Sequence, residues 1–415
     1  MSALLAVSGL LLVLAAFGLT AVVFQFVITW RYFLRKPAKP GPTTIGISIL
    51  KPLCGADDGL AENLRQFATL PYPNYELLLG VKNAQDAAYP LAMDAVRRWP
   101  HRVKLFLQRG EPGLNPKVNQ LCTLEMEATK EIILVSDSNT RVPDGFLEEI
   151  ASIFESDPEV ACTCNPIVGI GEEKLGSALD HIYLTGVLTA GMVAAKAMGK
   201  DIVVGKSMAL RRSDLERMGG FHAARNYLAE DYVLGLKISE IGKKVRICRL
   251  PVYQVSQKRS YSEFLSRYRR WSIIHRTVIA PTTYFGEGLM NPIPWTLLAL
   301  LCYPSRPTLL AFVACWAVKA MLDAGALRLH RPAFGLRTPL LVLLKDLSVF
   351  SAWCHGVFRR TVVWRGNRLR VEHGSRLCPP APELAEEPAP ELAPRPALAA
   401  ASWAKPRRDS DRTAA

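Results

Sequence analysis

The sequence predicts an α/β domain with a mostly parallel, Rossmann-like sheet, held between apolar segments that cross a membrane. Three observations predict it. Between residues 45 and 283, short β-rich runs alternate with helix-length amphipathic runs, the pattern of βαβ units. An uncharged apolar run, Ala3 to Thr29, precedes them, and an apolar region from Leu289 to Phe358 follows. The composition fits such a mixture, with 415 residues, 49% of them hydrophobic and 21% charged. A mean hydropathy of +0.12 is too polar for a chain embedded throughout, and the content excludes disordered, collagenous and disulfide-framework proteins.

The first run is long enough to span about 30 Å of hydrocarbon. A cleaved signal peptide fits poorly, since no Lys or Arg precedes the run and it exceeds the length of a signal core. Arg31, Arg35, Lys36 and Lys39 follow it, so the positive-inside rule puts what comes after Trp30 in the cytosol. This divides the amino-terminal part into an anchor over 1–30 and a basic linker over 31–44. In the carboxyl-terminal region, 284–371, the candidate membrane helices are Leu289–Tyr303, Leu309–Leu327 and Leu340–Phe358. The second carries Lys319 and Asp323, the third Lys345, Asp346 and His355. If all three crossed, the arginine-rich stretch Arg359–Arg370 would lie outside, against the rule, so one of them is expected to be re-entrant or interfacial. Residues 372–415, rich in Pro, Ala and Glu near their middle, are expected to be a disordered tail.

In the central domain the strands read ISIL (Ile47–Leu50), YELLLGV (Tyr75–Val81), VKLFL (Val103–Leu107) and EIILVS (Glu131–Ser136). Parallel sheets bind ligands beyond the carboxyl ends of their strands. Two strands end on carboxylates there, YELLLGV running to Asp86 and EIILVS to Asp137. A carboxylate in that place also caps the following helix, and one alone would say little. Glu230 and Asp231 open an amphipathic helix, where they would also complement its dipole. From Ser262 to Ile274, Phe264, Tyr268, Trp271 and Ile274 share a face, with Arg267 and Arg270 beside it. That pattern suits a basic amphipathic helix on the membrane surface and equally a diphosphate-binding wall, because guanidinium groups grip phosphate oxygens bidentately. Gly205 follows a strand at Ile202–Val204 and would allow backbone to approach a sugar; a tight turn explains it as well.

The 51 Lys and Arg against 37 Asp and Glu give a net charge of +14. No aromatic-basic RNA motif or zinc spacing accompanies that excess, which clusters beside the apolar segments, so nucleic acid is excluded as a partner. The nine cysteines include Cys162 and Cys164, too close for a zinc knuckle and read as buried thiols.

Asp86, Asp137, Asp231 and Arg267-Tyr268-Arg269-Arg270-Trp271 together resemble the D, D, D, (Q/R)xxRW signature of GT-A-fold glycosyltransferases. The surrounding Lys51-Pro52-Leu53, Tyr72-Pro73, Leu114-Asn115-Pro116-Lys117-Val118-Asn119, Ser136-Asp137-Ser138, Ala229-Glu230-Asp231-Tyr232 and Trp364-Arg365 narrow the resemblance to the ceramide glucosyltransferase family, over about Ile47 to Val371. The resemblance implies transfer from a UDP-sugar, glucose first, to the primary hydroxyl of ceramide, with inversion. It implies that Lys51, Pro52, Asp86, Lys117 and Asp137 meet the nucleotide and that Asp137 holds a divalent cation, Mn2+ or Mg2+. Asn139 stands where many relatives carry a second acid, which puts that cation in question. Asp231 becomes the general base, while Arg267, Arg270 and Trp271 cover the leaving diphosphate. Gly205 and Glu230 fall near the sugar or acceptor. The alternatives are an N-acetylglucosaminyltransferase acting on a hopanoid polyol, a polysaccharide synthase and an inactive membrane scaffold. The expected setting is a multi-pass membrane protein with its catalytic domain on the cytosolic face. The Ala, Arg and Pro bias favours a bacterial inner membrane over the Golgi.

Overall fold

A computed structural model describes residues 2–34, 43–330, 335, 337–364 and 366–379. Arg35, Lys36, Lys39, Arg365 and the segment from residue 380 onward lie outside the described residues. In chain order the structure opens with helix α1 (Ser2–Leu34). The catalytic domain follows as β1 (Ile47–Pro52), α2 (Leu60–Ala68), β2 (Tyr75–Val81), α3 (Tyr89–Arg98), β3 (Val103–Leu107), α4 (Pro116–Glu127), β4 (Ile132–Ser136), β5 (Thr140–Arg141) and α5 (Phe146–Ser156). It continues through β6 (Val160–Cys164), β7 (Ile167–Ile170), α6 (Leu175–Ile182), a π-helical turn (Tyr183–Leu188) and α7 (Thr189–Ala197). Next come β8 (Ser207–Arg211), α8 (Arg212–Arg217), α9 (Glu230–Glu240), β9 (Lys244–Ile247), β10 (Val252–Val255) and α10 (Tyr261–Val278). The chain then forms α11 (Pro281–Leu289), α12 (Pro292–Cys302), α13 (Arg306–Arg328), α14 (Thr338–Phe358), β11 (Thr361–Trp364), β12 (Asn367–Val371) and β13 (Leu377–Cys378).

The main sheet has seven strands in the order β3-β2-β1-β4-β8-β6-β9. All neighbours are parallel except that β8 runs against both β4 and β6. This is the GT-A organisation expected from the sequence. Its strands read as continuous apolar runs because helices cover both faces. Alternate residues of one strand enter different cores: Ile47, Ile49, Leu77 and Leu79 pack with α2, α3 and α5. Leu50, Leu78, Ile133 and Val135 pack with α4 and α9 on the other side. The chain winds outward from β1 to β3 and then crosses back to β4. A crevice therefore opens between the carboxyl ends of β1 and β4. Because β8 is antiparallel, with Ser207 paired to Ser136, the residues just before it reach the same edge. Cys162 and Cys164 are buried free thiols.

Helices α1, α13 and α14 have 33, 23 and 21 residues, each long enough to cross about 30 Å. Leu4, Leu5, Leu10, Val13, Phe17 and Phe24 on α1, with Leu310 and Met321 on α13 and Leu340 on α14, are more than half exposed. Each such side chain would cost about 1.5–3 kcal/mol in water, so this face is built for lipid. Helix α12 has 11 residues and rises about 16 Å, too little to cross alone, which makes it the short member among the three expected segments. It packs against α1, where Ser8 Oγ donates to the Ala299 carbonyl at 3.0 Å. Gly18 of α1 lies against the Leu289 carbonyl, and a β-carbon there would sit 1.9 Å from that oxygen. At its other end α1 is pinned to the catalytic domain, with Tyr32 Oη donating to the Ile247 carbonyl at 2.6 Å and Arg249 stacked on its ring at 4.5 Å.

Leu175–Ala197 is apolar and long enough to span, yet two-thirds of its apolar window is buried inside the protein. Two expectations change. The helix expected over 262–274 runs from Tyr261 to Val278, is capped by Ser260 with Glu263, and buries Phe264, Arg267, Tyr268 and Ile273. It lies between α6 and α14, so its aromatic face meets protein, not a membrane surface. Finally, residues 372–378 are ordered. Ser375 is fully buried, its carbonyl accepts from Leu228 N–H at 2.9 Å, and β13 pairs with β12.

Candidate functional site

Four segments meet at the crevice. Pro52 ends β1, Asp86 follows β2, Asp137 to Asn139 follow β4, and Gly205 and Lys206 precede β8; all but β8 deliver these residues from their carboxyl ends. Helix α9 adds Glu230 and Asp231 from its amino terminus.

The centre is a compact charge cluster. Lys117 Nζ lies 3.0 Å from Asp137 Oδ1 and 2.8 Å from Glu230 Oε1, and donates to the Gly205 carbonyl at 3.1 Å. Lys206 Nζ holds the second oxygen of Asp137, Oδ2, at 2.6 Å. Burial opposes the charge on Asp137, but the two ammonium groups outweigh it and hold the carboxyl well below the usual range. Asp231 behaves oppositely. Its Oδ2 accepts the Gly205 N–H at 2.7 Å and its Oδ1 the Tyr232 N–H at 2.8 Å. Burial, then the neighbouring Glu230, push its carboxyl up to about 6, against the pull of Gly205 N–H and Lys117. Two carboxylates a few residues of structure apart thus take opposite shifts, the arrangement that separates a fixed anion from a proton acceptor.

Asp86 Oδ1 accepts from Gly55 N–H and Ala88 N–H, both at 2.8 Å, so it ties the loop after β1 to the loop after β2. Its Oδ2 takes no hydrogen bond from the described residues, and the residue lines the crevice. Lys51 is placed differently from its expected role. It is fully buried, with Nζ donating to Ser136 Oγ at 3.1 Å, the Asp137 carbonyl at 2.8 Å and Thr140 Oγ1 at 3.0 Å. It braces the end of β4 from inside and does not line the crevice; burial lowers its ammonium to about 7.

Trp271 and Arg270 line the wall contributed by α10. Arg267 lines the same wall from a more buried position. It is 7% exposed, with Nη1 donating to Asp180 Oδ2 at 3.1 Å and Nη2 to Gln254 Oε1 at 3.3 Å, and its guanidinium sits 4.7 Å from the Trp271 ring centre. Asp180 neutralises much of its charge, and the side chain still lines the cavity beside Arg270 and Trp271. Tyr268 Oη donates to the same Asp180 at 2.7 Å.

These residues do not compose a cation site of their own. Both oxygens of Asp137 are in ion pairs with lysines, Asn139 offers an amide where a second acid would stand, and no group of three His, Cys, Asp or Glu side chains suited to a metal exists among the described residues.

The sequence model of glycosyl transferase family 21 matches residues 10–377. The chain belongs to glycosyl transferase family 21. It is a UDP-sugar-dependent hexosyltransferase. Ceramide glucosyltransferase 3 of Caenorhabditis elegans is 27% identical over 359 residues, covering 84% of this chain and 78% of that one. Ceramide glucosyltransferase 1 of the same organism is 26% identical over 386 residues, covering 90% and 81%. Among solved structures, the mannosyltransferase PcManGT from Pyrobaculum calidifontis in complex with GDP-Man and Mn2+ is 20% identical with a TM-score of 0.45, covering 84% of this chain and 99% of that chain.

Two residues of the candidate site escaped the motif reading. Lys206 adjoins a residue that was singled out, but nothing in the sequence pairs it with Asp137, 69 positions away. Asp180 lies 87 positions from Arg267 in a stretch that reads as plain apolar helix. Gly205 gains a reason: a β-carbon there would lie 3.2 Å from Asp231 Oδ2 and from Lys117 Nζ and 3.3 Å from Glu230 Oε1. Gly205→Ala is therefore expected to lower kcat roughly tenfold by displacing Asp231 a few tenths of an ångström, with UDP affinity little changed, as steady-state kinetics and UDP titration would show.

Proposed function

We propose that this enzyme moves a hexose, glucose first, from a UDP-sugar to the primary hydroxyl of ceramide, inverting the anomeric carbon. One observation carries the lipid acceptor: a single cavity of about 1490 Å³ reaches from Asp86, Asp137 and Asp231 to α1, α13 and α14. Such a cavity can present a headgroup hydroxyl to the crevice while the chains stay among apolar helices. The names of the relatives agree with glucose and ceramide. The catalytic domain faces the cytosol on this reading, because Arg31 and the basic residues after it follow the first apolar run.

In the reaction the acceptor oxygen attacks the anomeric carbon as its proton passes to Asp231, and the bond from that carbon to the UDP oxygen breaks with UDP leaving. Asp231 suits the base role because its raised pKa leaves it ionised at neutral pH yet basic enough to take a proton. Gly205 N–H fixes its orientation. Asp86 Oδ2 is placed to accept from the nucleoside. Arg270 and Lys206, on the crevice wall, oppose the charge that grows on the diphosphate, and Trp271 shields it from water. A divalent cation, were one to bind with the donor, would add Lewis-acid neutralisation of the phosphates.

Purified protein should be assayed with ceramide, diacylglycerol and a hopanoid polyol against a panel of UDP-sugars. Glucose transfer to ceramide is the expected result, and turnover of no lipid would sink the proposal; preferential N-acetylglucosamine transfer to the hopanoid would replace it. Arg270→Ala is expected to weaken UDP binding roughly 10- to 100-fold, the worth of one or more charge-assisted hydrogen bonds, measured by titration calorimetry.

A further inference from the structure

Far along the cavity from the sheet, α13 and α14 bring four charged side chains together. Lys319 Nζ lies 2.5 Å from Asp323 Oδ1, and Lys345 Nζ lies 2.6 Å from Asp323 Oδ2 and 2.8 Å from Asp346 Oδ1. All four are buried, and two cations cancel two anions. A pure interhelical lock would leave each group bonded. This set is not saturated.

Asp346 is 3% exposed, yet its Oδ2 accepts no hydrogen bond among the described residues and has only Lys319 Nζ at 3.7 Å. Asn291, just before α12, donates Nδ2 to the Asp346 carbonyl at 2.8 Å, while its Oδ1 is buried without a donor. The two unfilled acceptors therefore belong to residues joined by a hydrogen bond, and both residues line the cavity. The surrounding wall is apolar and aromatic, including Tyr284, Val349, Phe350 and Trp353. Leaving a buried acceptor unfilled costs free energy, which a ligand bringing donors would recover. The charges already balance, so an ionised headgroup would be left without a counter-charge. The fitting ligand is neutral, rich in N–H or O–H donors, and joined to hydrocarbon.

We propose that Asn291 and Asp346 bind a neutral hydrogen-bond donor of the acceptor lipid, an amide N–H or a hydroxyl distinct from the one that reacts at Asp231. The site rests on the lipid-acceptor reading above and adds to it a selection rule. Amide lipids and polyols satisfy the two oxygens. A diacylglycerol, whose single hydroxyl is the one consumed, does not. Sites built around buried acceptors reject ligands that lack the donor more strongly than apolar pockets reject a missing methylene.

The test uses the full-length protein in nanodiscs with UDP-glucose. Wild-type enzyme is expected to favour ceramide over diacylglycerol at least tenfold in kcat/KM, chiefly through KM. Asn291→Leu is expected to reduce the ceramide-to-diacylglycerol ratio about tenfold, and Asn291→Gln, which keeps a neutral amide with an acceptor oxygen, to restore much of it. Retained UDP affinity shows that each variant is folded. Asp346→Asn should act in the same direction; because it also unbalances the charges, the wild-type lipid comparison and the Asn291 pair decide the matter. Equal use of ceramide and diacylglycerol by wild type, or an unchanged ratio in Asn291→Leu, overturns the site while leaving the lipid transferase intact. Turnover of no lipid at all overturns the acceptor reading, and the site falls with it.

Discussion

Asp231→Asn is expected to lower kcat by roughly 10²–10⁴, the usual worth of a positioned general base, while UDP binds as it does to wild type. The substitution keeps the size of the side chain and an oxygen able to accept the Gly205 N–H, which in the wild type approaches Oδ2 at 2.7 Å. What it removes is the lone pair basic enough to take the acceptor proton. The pH profile supplies an independent check. The wild-type carboxyl titrates near 6 because burial and Glu230 disfavour its charge, and only the ionised form can act as base. The plot of kcat/KM should therefore fall on the acid side with an apparent pKa near 6, and the residual activity of Asp231→Asn should lose that limb. Strong turnover in the variant, with the limb retained, would remove Asp231 from the base role.

Lys117→Met is expected to damage both stability and rate. Lys117 is the common partner of Asp137 at 3.0 Å and Glu230 at 2.8 Å, and its Nζ also holds the Gly205 carbonyl at 3.1 Å. Removing Lys117 leaves the buried Glu230 without its ion partner, while Asp137 keeps Lys206; the cost is at most about 3–5 kcal/mol, so a lowered unfolding temperature in detergent is expected. The electrostatic sign is also fixed. Lys117 lowers the pKa of Asp231, hence its loss raises that pKa, and the acid limb of the rate profile should move to higher pH. A variant that is less stable but has an unmoved acid limb would reduce Lys117 to a structural strut.

The carboxylates of the crevice were legible because their positions follow from local pattern. Asp86 and Asp137 each close an apolar strand, and parallel sheets place such ends at the ligand edge. Asp231 was legible as the start of an amphipathic helix with an acidic first turn. Helix α10 was legible in its periodicity but not in its environment. Aromatic residues and arginines on one helix look alike whether the neighbour is lipid or protein, and only the packing of α6 and α14 against Phe264 and Tyr268 decides between them. The segment 372–378 was misjudged for a similar reason. Its composition is polar, and its order comes from bonds to Leu228, Ala229 and Asn226, remote in sequence.

By itself the sequence determined the alternation of strands and helices, the membrane-length apolar runs and the ordered set of Asp86, Asp137, Asp231, Arg270 and Trp271. These depend on spacing along the chain, which periodicity and strand ends encode directly. Only the tertiary structure decided that Lys51 faces inward, that Asp180 neutralises Arg267, that Lys206 joins Lys117 on Asp137, and that Asn291 and Asp346 share the cavity wall. Those facts depend on which charges meet after folding. An ion pair is set by a distance of a few ångströms between residues tens of positions apart, and no local pattern carries that distance.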